Sequence, residues 1–322
     1  MSDRKHILAI DPGSTSTKFA LYAGERLLLA RTLRHSEEIL RGFKGRPLIE
    51  QCDFRRAAIE NELEMAGFGL ADLTAVVGRG GLLRPLSSGT YHVTQRMLDD
   101  LRAAERGEHA SNLGAFLAKQ LAAGARAPAF VVDPVAVDEW LPRARLSGSA
   151  ELPRQCLSHA LNTKAVSKRF ALERGRRYED LNLIVAHLGS GISISAHENG
   201  RMVDVNNSRE EGPFSAERAG SVPAMMLVDL CFSGKYTRRE VEDRLFREGG
   251  LYSYLGTKDL VEVEKRIAAG DSKAALVWEA MIYQIGNSPC VNFATDSCQR
   301  ASASSQTSVS NCRERGQARC QR

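Results

Sequence analysis

The sequence predicts an α/β protein built as two related lobes. Three observations carry that expectation. Ile7–Ala20 reads as an apolar strand, a small-residue turn at Asp11-Pro12-Gly13-Ser14-Thr15-Ser16-Thr17-Lys18, and a second strand. Leu183–Ala196 repeats the layout, with the turn at His187-Leu188-Gly189-Ser190-Gly191. The periodic segments after residue 6 follow the order β-β-β-α-β-α-β, and a similar order restarts near residue 182, which fits a layered α/β arrangement rather than a helical bundle.

In the first lobe, His6–Ile10, Lys18–Tyr22 and Arg26–Arg34 are the opening strands, with a tight turn at Ala23-Gly24. A helix is expected over Arg55–Ala66, a short buried strand over Leu73–Val77, and helices over Met97–Arg106 and Ser111–Ala123, the last with Ser111 as N-cap. Ala129–Val132 is a further strand ending at Asp133-Pro134. The Ser/Gly/Pro-containing stretch 146–153 separates a domain over 1–150 from a second over 151–287. A helix over Ala160–Glu173 follows, then strands Asn182–Ala186, Ile192–His197 and Met202–Val205. Asn199-Gly200 between two apolar runs is a strong hairpin signal. Helices are expected over Val222–Phe232, Thr237–Phe246, Asp259–Ala268 and Ser272–Gln284.

The pattern collapses after Ile285. Residues 299–322 hold one strong hydrophobe, Val309, among Ser, Gln, Arg, Ala and Cys. Such a segment cannot bury enough surface to offset its ordering entropy, so 288–322 is expected to be disordered. The abrupt change of composition reads as out-of-frame translation, leaving the second lobe incomplete.

Of 322 residues, 43% are hydrophobic and 26% charged, a soluble globular composition. No apolar run reaches the ~18 residues of a membrane span, and Asp11 interrupts any leader-like stretch, so a cytoplasmic protein without a membrane partner is expected. The formal charge of +5 sits largely in the tail; the nearly neutral body excludes a nucleic-acid footprint. Cys52, Cys156 and Cys231 are scattered as buried thiols usually are. Cys290, Cys298, Cys312 and Cys320 match no zinc spacing and lack histidine partners.

The chemistry concentrates in a few places. Small-residue turns expose backbone N–H groups and hydroxyls to an anion. In the first, Gly13 can take a positive φ and admit a phosphate, Ser14 and Ser16 share a face, Lys18 follows, and Asp11 could hold Mg²⁺ through water. In the second, Gly189, Ser190 and Gly191 form the turn and His187 ends the strand facing it. Read alone, each serves equally as a polar hairpin turn; together they suggest two lobes closing on one polyphosphate such as ATP. Arg79, in Gly78-Arg79-Gly80-Gly81 after an apolar strand, and Arg218, in a loop before a helix, carry the guanidinium geometry that suits carboxylate and phosphate oxygens. Asp133 ends its strand where a carboxylate could bind Mg²⁺, orient a nucleophile, or merely cap a turn. Asp138 and Glu139 read as members of a solvated turn, and His159 as a helix cap.

These strings, in order, resemble the acetate and butyrate kinase family, and within it butyrate kinase and its branched-chain relatives most. Ile10–Lys18, Val132–Asp138, His159–Ala165, Ala186–Gly191, and Glu211–Ser215 with Arg218–Gly220 carry the resemblance over residues 5–285. It implies the two-lobed fold shared with actin, Hsp70 and the sugar kinases (ribonuclease H-like). It also implies transfer of phosphate from ATP to a short-chain carboxylate such as butanoate, giving an acyl phosphate and ADP. By position, Arg79, Asp133, His187 and Arg218 would be the catalytic residues. Asp11, Gly13, Ser14, Ser16 and Lys18 would form the first phosphate turn, Gly189, Ser190 and Gly191 the second, and Asp11 and Asp133 would hold Mg²⁺. Acetate or a branched acid is the alternative substrate, and an inactive remnant the alternative outside catalysis, because the family's adenosine-cradling Gly-Gly segment after residue 285 has no counterpart here. The family also tends to self-associate, which makes a homo-oligomer a further expectation.

Overall fold

The computed structural model describes residues 6–288, so the expected disordered tail, with its four cysteines, lies outside the described residues apart from Ser288. The chain divides into two compact units, Met1–Val166 and Ser167–Arg322. Segment 146–153 therefore belongs to the first unit.

The first unit opens with β1 (His6–Pro12), β2 (Ser16–Ala23) and β3 (Arg26–Arg34), followed by the short α1 (Glu37–Arg41) and by α2 (Cys52–Met65). Next come β4 (Leu73–Arg79), the three-residue β5 (Thr90–His92), α3 (Gln95–Ala103), α4 (Leu113–Ala125) and β6 (Ala129–Val132). Helix α5 (Ala160–Glu173) carries the chain across the division. The six strands form one mixed sheet in the order β3-β2-β1-β4-β6-β5. β1, β4 and β6 run parallel, while β2, β3 and β5 pair antiparallel.

One face of this sheet carries the core. Leu8, Ile10, Phe19, Leu21, Val76 and Val131 alternate with less buried neighbours and cluster with Ile59 and Leu63 of α2 and Leu113, Leu117 and Leu121 of α4. That alternation is the period of two that a half-covered strand requires. On the other face the register aligns Ala9, Ala20 and Ala30 across three strands. Their short side chains leave a recess of about 610 Å³, with Asp11, Lys18 and Arg79 among its lining residues.

Helix α4 sits unusually close to β4. A Cβ added at Gly78 would fall 2.0 Å from the Gly114 carbonyl oxygen, and one added at Gly114 would fall 2.0 Å from that of Arg79. Only two facing glycines allow this backbone contact. α4 is entered through a short 3-10 turn, Ala110–Asn112, where the His109 side chain accepts from the Ser111 amide; Ser111 is buried and is not the N-cap expected of it.

The second unit contains β7 (Leu183–Leu188), β8 (Ile192–Glu198) and β9 (Arg201–Val205), then α6 (Ala224–Phe232), α7 (Arg238–Phe246), α8 (Gly250–Leu255), α9 (Leu260–Ala268) and α10 (Ser272–Gly286). Its strands form an antiparallel sheet in the order β7-β8-β9. Asn199 and Gly200, at φ 51° and 75°, make the left-handed two-residue turn that the Asn-Gly pair dictates. Thr237, Asp259 and Asp271 cap α7, α9 and α10 with their side chains. Cys52 and Cys156 are buried, but Cys231 is exposed on α6, contrary to the expectation that all three body thiols are buried.

Replacing Gly78 with Ala drives a Cβ into backbone, which cannot swing aside. The variant is expected to lose about 3 kcal/mol, at the upper end for overpacking, read as a lowered denaturation midpoint with an unchanged slope.

Candidate active site

In the first unit, the turn between β1 and β2 is shaped from beneath. Gly13 N–H donates to the Ser16 carbonyl at 2.7 Å, closing the turn. Gly13 is not in the left-handed region, and a Cβ there would meet only ordinary contacts at 3.4 Å, so its expected positive φ is not used. Ser14 and Thr15 are exposed at the tip, and Lys18 lies exposed on β2. Behind them is Arg55 of α2, fully buried. Its guanidinium donates to the carbonyls of Gly13 (2.9 Å), Ser14 (3.2 Å) and Ser16 (3.0 Å), to Thr17 Oγ1 (2.9 Å) and to Gln51 Oε1 (2.8 Å). His35 completes the enclosure, with Nε2 2.8 Å from Thr17 Oγ1 and its amide donating to the Thr15 carbonyl. Burial, aided by the Arg55 charge, pushes the His35 imidazole down to about 4.

Asp11 and Arg79 end neighbouring parallel strands and form an ion pair at 3.1 Å, with both groups partly solvated. Asp133 follows β6 with φ 39°, a strained conformation for a non-glycine residue, and is buried. Its Oδ1 accepts from Ser88 Oγ at 2.7 Å and from Gly89 N–H at 2.8 Å, while its own amide donates to the Gly89 carbonyl at 3.0 Å. Both side-chain bonds fall on Oδ1, so Oδ2 is not committed.

Asp138 and Glu139 are not in a solvated turn. Asp138 pairs with Arg145 at 2.5 Å, and Glu139 Oε2 pairs with the buried Lys164 of α5 at 2.7 Å. Glu139 Oε1 also accepts from the Ser88 amide at 3.2 Å, so one chain of contacts runs from Lys164 through Glu139 and Ser88 to Asp133. Alone in the sequence, Glu139 carried no signal beyond its nearness to Asp133; Lys164, inside the His159–Ala165 string, could have been suspected as its partner.

In the second unit, His187, the turn 189–191 and Arg218 come together. A Cβ at Gly189 would fall 3.1 Å from His187 Nε2, and one at Gly191 would fall 2.5 Å from Arg218 Nη1. Gly191 thus makes room for a guanidinium laid across the turn. Arg218 donates to the Ser208 carbonyl at 3.1 Å and has no carboxylate within ion-pair distance among the described residues; burial lowers its pKa. Ser215 Oγ donates to the Ser190 carbonyl and accepts the Arg218 amide, tying the loop to the turn. Asn206, unnoticed in the sequence, anchors the start of that loop. Its Oδ1 accepts from Ile194 N–H at 2.6 Å, and its Nδ2 donates to the Ile192 carbonyl at 2.9 Å, so it acts as a further rung beside β8.

Mg²⁺ binds through one or two carboxylates plus substrate phosphates more readily than in an all-protein cage. Asp11 and Asp133 each have one oxygen outside the protein's own hydrogen bonds. The described residues hold no cluster of three metal-ligating groups. That donor set suits a cation arriving with a polyphosphate.

Two variants test this geometry. Gly191→Ala meets a flexible side-chain end, so the fold is expected to survive within a few degrees in Tm while Arg218 is displaced, lowering turnover by about tenfold or more. For His35, the sign follows from its depressed value. Between the ordinary 6.5 and about 4, the unfolded chain takes up a proton that the folded chain refuses. Stability is therefore complete above pH 6.5 and declines as pH falls toward 4. His35→Gln is expected to flatten that decline in a series of Tm values against pH.

The model of the acetokinase family matches residues 153–293. A probable butyrate kinase of Listeria monocytogenes is 49% identical over 280 residues, covering 87% of this chain and 78% of that protein; one from Listeria welshimeri matches to the same extent. Among solved structures, the acetate kinase of Porphyromonas gingivalis aligns with a TM-score of 0.67 at 18% identity, covering 93% of this chain and 80% of its own. The propionate kinase of Francisella tularensis aligns at 0.66 and 20%, covering 92% and 80%. The fold is thus the two-lobed α/β fold of these kinases, and with 49% identity to the Listeria butyrate kinases over 87% of its length, the chain belongs to the acetokinase family.

Proposed function

We propose that this protein transfers the terminal phosphoryl group of ATP to a short-chain carboxylate, with butanoate the leading substrate, to give an acyl phosphate and ADP. The observation that carries the proposal is the half-buried guanidinium of Arg218, packed against Gly191 of the Gly189–Gly191 turn, with no carboxylate within ion-pair distance among the described residues. A cation without a paired carboxylate, set on a small-residue turn, suits a ligand's negative charge. Family membership supports the same reading and disfavours an inactive remnant.

A carboxylate acceptor is already ionised and needs no general base. Catalysis then consists of alignment and of neutralising charge on the transferring group's equatorial oxygens. Arg79, at a strand end beside the first turn, suits the acceptor carboxylate; Asp11 fixes its direction. His187 and Arg218 suit the transferring phosphoryl group. Gly13, Ser14, Ser16 and Lys18 of the first turn, and Gly189, Ser190 and Gly191 of the second, would each bind phosphate oxygens. Asp11 and Asp133 would hold Mg²⁺, which supplies charge neutralisation when bound. The geometry does not separate butanoate from acetate or a branched acid, so the assay compares all three.

No helix among the described residues is long and apolar enough to cross a membrane. A cytoplasmic reaction, where ATP is available, is the reading we adopt. The unburied apolar side chains of α6, including Met225, Met226 and Phe232, support the homo-oligomer that the family resemblance implies.

Incubation with ATP, Mg²⁺ and butanoate in the presence of hydroxylamine is expected to yield butanoyl hydroxamate, since only acyl phosphates are trapped this way. ADP formation without hydroxamate, for any of the three acids, would overturn the proposal. Replacing Arg218 with Met should lower kcat/KM by about 10²–10³, the scale of one lost preorganised donor.

A further inference from the structure

The Arg55 guanidinium donates to five acceptor groups, and it belongs to none of the groups expected to touch substrate. It is 0% exposed, and no carboxylate lies within ion-pair distance among the described residues. Burial pushes its pKa down to about 10, so it remains charged at neutral pH. A buried cation ordinarily has an anion beside it, because the desolvation cost is several kcal/mol per ion. Here the compensation is dipolar: three backbone carbonyls, one hydroxyl and one side-chain amide oxygen.

Those carbonyls belong to one turn. The oxygens of Gly13, Ser14 and Ser16 point at Arg55; that of Thr15 accepts from the His35 amide; that of Ser16 also accepts from Gly13 N–H. Every carbonyl from 13 to 16 is therefore drawn to the protein side. Carbonyl oxygens are the groups that would repel a phosphate. Removing them from the outer rim leaves hydroxyls at the exposed tip, with a positive charge directly behind.

We propose that Arg55 is a positioning residue for the nucleotide: it turns the carbonyls of 13–16 away from the phosphates, and its unpaired charge acts as their counter-charge through the turn. This rests on the reading of the turn as a phosphate site. It goes beyond that reading by assigning the turn's anion affinity to a residue of α2 that never touches the ligand.

The discriminating variant is Gln51→Glu. It keeps an oxygen on the Arg55 guanidinium but supplies the missing carboxylate, neutralising the charge in place. If Arg55 only holds the fold, this variant is as stable as the parent or more so, and its kinetics do not change. On our proposal its Tm is kept or raised, while KM for ATP rises by roughly fivefold or more and KM for butanoate stays within twofold. Arg55→Lys, which keeps the charge but loses the fork of donors, is expected to raise KM for ATP in the same selective way. The second readout is the Tm increase produced by Mg·ATP and by inorganic tripolyphosphate, expected in the parent and reduced in both variants. Gln51→Glu with parental KM for ATP and a parental Tm increase would overturn the role of Arg55, whatever Arg55→Lys does to stability. A parent protein whose Tm tripolyphosphate and Mg·ATP leave unchanged would instead sink the phosphate-turn reading, and the proposal with it.

Discussion

A guanidinium with no carboxylate at ion-pair distance among the described residues is the interaction around which each candidate turn is organised. Arg55 stands behind the first hairpin turn, and Arg218 lies across the second. Arg55 donates to backbone carbonyls, a hydroxyl and an amide oxygen, and Arg218 to the Ser208 carbonyl, none of which matches its charge. Such an arrangement costs desolvation energy that no paired anion repays, which fits the proposed anion sites better than a structural core. The two positions differ in order. Arg55 comes from a helix after the hairpin and works from behind, whereas Arg218 comes from a loop and occupies the space that Gly191 leaves open.

The glycines flanking Arg79, in Gly78-Arg79-Gly80-Gly81, have a packing role. In the fold, each glycine answers a packing demand: Gly78 meets Gly114 of α4, Gly80 meets Pro134, and Gly81 meets Asn112. The close approach of α4 brings the end of β4 to a fixed place, and Arg79 is the residue left to project from it toward Asp11. The glycines thus serve the site indirectly, by fixing the backbone from which the guanidinium extends.

Periodicity and turn chemistry made most of the fold legible, because they are local. The strands from β1 to β3, the Asn199-Gly200 turn and the caps at Thr237 and Asp259 each follow from neighbouring residues. The edge strand Thr90–His92 and the short helix Gly250–Leu255 were not legible; three and six residues hold too little pattern. The residues proposed to face ligand are readable from the motifs. Those that hold them are not, since Arg55, Ser88, Lys164 and Asn206 act across 12 to 45 positions of sequence. Glu139 is the sharpest instance: a charged residue in a polar stretch reads as solvated, and only its distant lysine makes burial tolerable.

Asp133 draws these threads together. Its φ of 39° costs on the order of 1–3 kcal/mol for a residue with a side chain, so the surroundings must over-determine it. They do: the Gly89 carbonyl takes its amide, and Ser88 and Gly89 both bind Oδ1. Ser88 is itself fixed by Glu139, which Lys164 neutralises. A carboxylate held at one oxygen by two donors cannot rotate freely, so its other oxygen keeps one direction before any ligand arrives. In the proposed reaction that is the useful property. A metal-bound polyphosphate meets an oxygen already aimed, and the ordering entropy has been spent in folding rather than in binding.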